Sequence, residues 1–65
     1  MLTDWELWAV ANTVLNLHGD QAPMFVARRI EALTAEGDGG GVAAWQAIAR
    51  RMETLAAPPP ERLDA

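Results

Sequence analysis

Few side chains in this sequence are equipped for chemistry. It has one histidine, four threonines, nine carboxylates and five arginines, and no serine, cysteine, lysine or tyrosine. Covalent catalysis draws mainly on Ser, Cys, Lys, Thr and carboxylates, so most of the usual nucleophiles are missing. His18 with Asp20 supplies half of a metal site at most, because such sites take three or four ligands and a supporting second layer. A histidine at a helix end, facing the negative end of the dipole, is the simpler role for His18.

Two further constellations invite a chemical reading. Glu36-Gly37-Asp38-Gly39-Gly40-Gly41 is acidic and glycine-rich. A calcium loop needs more oxygen ligands and a terminal bidentate Glu, and a phosphate loop needs a preceding strand and a Gly-Lys-Ser/Thr ending. Bare amides at a helix start can still hold an anion, but a plain connector explains the segment with fewer assumptions. Arg28-Arg29 and Arg50-Arg51 form two adjacent guanidinium pairs. Together they offer bidentate recognition of phosphate or carboxylate. Neighbours on a helix point about 100° apart, so each pair puts one arginine on a given face. Local pairing with Glu31, Glu36 and Glu53 is the cheaper expectation. These readings assign no catalytic, cofactor-binding or metal residue, and the chain is not expected to be an enzyme.

The elements that carry these residues are legible from periodicity. Thr3-Asp4-Trp5-Glu6 is a capping box. It opens a helix over about residues 3–17, which ends at His18-Gly19. Leu7, Trp8, Val10, Ala11, Val14, Leu15 and Leu17 share an arc about 180° wide, which should face the core. A second helix over 20–36 has Asp20 as N-cap and Pro23 in its first turn. Its stripe is Ala22, Val26, Ala27, Ile30 and Leu33, flanked by Phe25 and Ala32. Gly37 to Gly41 should break the chain, since glycine disfavours a helix interior. The third helix then covers 42–56 and turns Ala44, Trp45, Ile48, Ala49, Met52, Leu55 and Ala56 to one side. Pro58-Pro59-Pro60 stops it and begins a proline-rich tail, 58–65, expected to be disordered and flexible. Nothing alternates with period two. The fold expected is all-α: one three-helix domain over 1–57 with up-down-up topology.

Composition narrows the function further. The chain has 65 residues, 51% of them hydrophobic, and a net charge of −4. That length bounds it to one domain with a thin core. An acidic chain without a basic tail argues against nucleic acid. A helix-turn-helix reading would make the third helix the reader, with Gln46, Arg50 and Arg51, but a glycine-rich connector does not match the tight turn. The stretch Leu7 to Gly19 is too short to span a bilayer. The start lacks the pattern of a signal peptide, and the lack of cysteine fits a reducing compartment. No membrane association is expected, and the expected location is cytoplasmic.

The Asp4-Trp5-Glu6-Leu7-Trp8-Ala9 run, Ala11-Asn12, His18-Gly19-Asp20, Ala27-Arg28-Arg29-Ile30, Gly37-Asp38, and Trp45 with Ile48 and Arg51 resemble a family of very short, uncharacterised bacterial proteins. The resemblance spans about residues 3 to 55. It implies a fold unit and carries no activity. The second and third helices also resemble a tetratricopeptide-type hairpin turning at Gly37-Asp38, although such arrays take about three repeats to be stable.

The residue that stands out is Trp5. It shares the face opposite the main stripe with Ala9, Asn12 and Asn16. Tryptophan is enriched in interface hot spots, and asparagine can hydrogen-bond at a rim. Equally, Trp5 can fold over the helix start and pack on Pro58 to Pro60. The leading expectation is a non-enzymatic protein-interaction domain, binding a protein partner or itself through Trp5, Ala9, Asn12 and Asn16. The alternative is a small regulator binding nucleic acid or an anionic ligand through Arg28, Arg29, Arg50 and Arg51.

Overall fold

A computed structural model of the chain describes residues 2–56. Three helices make up the fold: α1 over Asp4–His18, α2 over Ala22–Glu36 and α3 over Gly39–Ala56. The described residues contain no strand. The expected tail, 58–65, lies outside the described residues, and so does packing of Trp5 on Pro58 to Pro60.

The capping box forms as its residue types dictate. Thr3 Oγ1 accepts the Glu6 N–H at 3.2 Å, and the Thr3 N–H donates to Glu6 Oε1 at 2.8 Å. Two donors that a helix start leaves free are thereby satisfied. At the far end, Gly19 takes φ 52, ψ −125, and its N–H donates to the Leu15 carbonyl.

The start of α2 differs from expectation. Asp20 is not its N-cap: Gly19–Gln21 form one turn of 3₁₀ helix, and α2 begins at Ala22 without a side-chain cap. The Ala22 N–H donates to the Gly19 carbonyl, so the backbone of the 3₁₀ turn does the work of a cap. Pro23 sits in the first turn of α2, where its missing N–H costs nothing.

The third helix also starts earlier than expected. Gly39, Gly40 and Gly41 are its first turn, not a break. The reason is local capping on both sides of Gly37-Asp38. Gly37, at φ 76, closes α2: its N–H donates to the Thr34 carbonyl and the Asp38 N–H to the Leu33 carbonyl. That pairing is the Schellman arrangement. Asp38 then caps α3, its Oδ1 accepting the Gly41 N–H at 2.9 Å. A first turn has no upstream carbonyls to bond, so glycine's entropic penalty is weighed against a strong cap. A Cβ on Gly41 would lie 2.7 Å from Asp38 Oδ2, so the cap's close approach needs glycine there.

Helices α2 and α3 form an antiparallel hairpin. In the α2–α3 hairpin, Leu33 lies beside Gly41 at the turn. Pro23, at the opposite end of α2, borders the same groove as Ala56. Asp4 meets an Arg51 side chain that folds back to the Ala47 carbonyl, whereas Leu15 borders the groove with Met52 and Ala56. Helix α3 packs on both others, which touch each other less.

The core is a cluster of Ala11, Val14, Ala22, Val26, Ile48 and Met52, with Leu7, Val10, Phe25, Ile30 and Trp45 packed around it. Five residues expected on the core stripes are exposed: Leu17, at 75%, Ala27, Ala32, Leu55 and Ala56. Leu17 stands about 120° round α1 from Ala11. Two neighbouring helices cover a narrower arc than the apolar residues occupy, so the edge of the stripe is left in water.

Candidate functional site

Two surfaces hold the residues singled out in the sequence. The first is the outer face of α1. The capping box fixes the helix start, and Trp5 follows directly with 76% of its surface exposed. Ala9 is half-buried, and Asn12 and Asn16 are exposed. These four lie within about 60° of one another around the helix axis. Thr13 and the exposed Leu17 continue the row of Trp5 and Ala9 at steps of four residues. Thr13 Oγ1 donates back to the Ala9 carbonyl at 2.9 Å, which leaves its methyl group on the surface. The face therefore runs Trp5, Ala9, Thr13, Leu17, with Asn12 and Asn16 beside it.

Charge on this face is sparse. From Leu7 to Leu17 no residue is charged. Asp4 belongs to the inner side of the helix, where it accepts a hydrogen bond from Arg51. Glu6 is the acid nearest the row. Hydrogen bonds from the backbone and side chain of Thr3 hold its carboxyl below the usual glutamate value.

The four arginines do not behave as two matching pairs. Each pair sends one guanidinium onto a tryptophan. Arg29 lies over Trp45, 6.0 Å from the ring centroid, and Arg51 lies over Trp8 at 5.4 Å. Arg51 also donates to the Ala47 carbonyl at 3.0 Å and to Asp4. Its buried Nε has no hydrogen-bond partner. Arg28, Arg29 and Arg50 are exposed. Among the described residues, the ion pair that forms is Asp4–Arg51, and Glu31, Glu36 and Glu53 pair with none of the arginines. The expected local pairing gives way because Arg29 and Arg51 gain cation–π contact and Arg51 a partner on another helix.

His18 caps an aromatic stack and does not project into solvent. Its ring lies on Phe25 with centroids 4.1 Å apart and planes 16° apart. Phe25 meets Trp45 edge-on at 5.9 Å. One aromatic contact line thus ties α1, α2 and α3 together. Among the described residues, no three His, Asp or Glu side chains gather as metal ligands, and no helix is long and apolar enough to cross a membrane.

The second surface is an apolar groove of about 320 Å³, which sequence reasoning did not anticipate. Pro23, Val26 and Ile30 border it on α2, Ala49 and Met52 on α3, and Leu15 on α1. Ala27, placed in the core by periodicity, lies on its rim. Sequence reasoning also missed Leu17 as a surface residue, although it follows Trp5, Ala9 and Thr13 at four-residue steps.

Residues 3–58 match the family of unknown function DUF6961, and the chain belongs to that family. No curated protein and no solved structure matches it.

Proposed function

We propose that this member of the family is a non-enzymatic protein-interaction domain whose binding surface is the outer face of α1. The observation that carries the reading is Trp5. A tryptophan three-quarters exposed on a rigidly capped helix is a large apolar surface left in water. It stands next to the hydrogen-bonding side chains of Asn12 and Asn16, on a face almost free of charge. Contacts of this composition, with an aromatic anchor and amide groups at the rim, are what protein interfaces select. The cysteine-free, acidic composition fits work in a reducing setting such as a bacterial cytoplasm.

Site-specific photocrosslinking tests the reading. A photoreactive residue replacing Ala9 should give discrete crosslinked products in cells that make the full chain. The same residue replacing Gln46, exposed on α3, should not. Equal labelling from both positions, or none from position 9, would remove the outer face of α1 as the binding surface.

A further inference from the structure

The row Trp5, Ala9, Thr13, Leu17 has a symmetry of its own: large, small, small, large. The two large side chains are each about three-quarters exposed, and the two small ones lie between them. Rows of residues spaced by four are the ridges that interlock when two helices cross at about −50°. At such a crossing the axes are closest in the middle and diverge outward. Small residues belong at the centre, and long side chains are needed at the ends to reach across.

A two-fold interface places each residue opposite its counterpart read in reverse. An axis passing between Ala9 and Thr13 puts Trp5 opposite Leu17 and Ala9 opposite Thr13. The row itself carries no charge. No like charges meet, and Asp4 is turned away onto Arg51. A parallel arrangement would gather Asp4 and Glu6 of both copies at one end, whereas an antiparallel one separates them. We propose that a second copy of the chain occupies this face, packed antiparallel, so that Trp5 of each copy rests on Leu17 of the other. This inference rests on the outer face of α1 being the binding surface.

Area and core size point the same way. Trp5 and Leu17 together offer about 300 Å² per copy. With their neighbours the pair buries on the order of 1,000 Å² in total, the lower end for a specific interface. The dimer is therefore concentration-dependent. The buried core of the described residues has only seven members, and four of them are alanine or valine. A fold of that size gains from any association that the unfolded chain cannot make.

Light scattering of the full chain across a dilution series reads the outcome, with 7.0 kDa for one copy and twice that for two. The wild type should approach the dimer mass at high concentration. Thr13→Arg, at an exposed helix position, should stay monomeric with unchanged helix content by circular dichroism, and Gln46→Arg should dimerise normally. Asn16→Arg should tighten the dimer several-fold, because it brings a positive charge to the end where the acidic helix start of the other copy lies, and Asn16→Glu should loosen it. A monomer at every concentration overturns self-pairing. A dimer that ignores Thr13→Arg overturns this interface, and weakening by Asn16→Arg overturns the antiparallel register. A monomer whose position 9 still crosslinks to a different protein would sink self-pairing and keep the broader reading. A dimer without crosslinks from position 9 would sink both.

Discussion

The Arg51 guanidinium, near the end of α3, donates to the Asp4 carboxylate in the first turn of α1, 47 positions earlier in the sequence. The two partners are not equally committed. Asp4 is 75% exposed and Arg51 only 20%. Screening leaves an exposed carboxylate little to contribute, whereas Arg51 also covers Trp8 and bonds the Ala47 carbonyl. Asp4→Asn should therefore lower stability by less than about 1 kcal/mol. Arg51→Ala should lower it by about 2 kcal/mol, through lost packing and cation–π contact. Urea unfolding of both variants checks the order, and equal losses would mean that the ion pair dominates.

The glycine turn of α3 should respond position by position. Gly39→Ala and Gly40→Ala meet no close neighbour and should each stabilise by about 0.5–1 kcal/mol. Gly41→Ala should not, because its Cβ would displace the Asp38 cap. Asp38→Ala should cost about 1 kcal/mol, the usual value of an N-cap. Gly37→Ala should also cost about 1 kcal/mol, since φ 76 suits glycine. Thermal melts of the series check this, and a stabilising Gly41→Ala would show that the cap is dispensable.

Acid should loosen the start of α1. Glu6 is held below its ordinary value of 4.5 by its hydrogen bonds with Thr3. A carboxyl depressed in the folded state contributes stability above its unfolded pKa, and that contribution is lost as pH falls through the folded value. The loss should begin near pH 4.5 and continue below it. Glu6→Gln, which can still accept from the Thr3 N–H, should flatten this part of the profile. Stability followed by circular dichroism between neutral and acid pH, with and without the substitution, is the measurement. Identical profiles would show that the capping box does not couple to folding.

The arginines make a negative prediction with a sharp test. Arg29 and Arg51 are engaged with Trp45 and Trp8, and the chain carries a net charge of −4. Neither DNA nor RNA should be retained at low salt, where phosphate contacts are strongest. Retention that falls steeply with salt and disappears in Arg28→Ala with Arg50→Ala would establish the anion-binding alternative.

The local chemistry of this protein is written in short stretches of sequence. The Thr3–Glu6 capping box, the apolar periodicities and the terminating role of Gly19 each depend on residues within one or two turns, so they follow from residue type and spacing. The glycine run of 39–41 misleads because its average propensity is poor, while one carboxylate at Asp38 and one left-handed glycine at Gly37 decide the outcome. The face carrying Trp5, Ala9, Asn12 and Asn16 could likewise be drawn from helix geometry alone. Only the tertiary structure decides how far the covered arc extends. It leaves Leu17 in water and opens the groove between α2 and α3. It also takes Arg51 to Asp4, because contacts between residues far apart in sequence depend on how the helices cross, which no local pattern encodes.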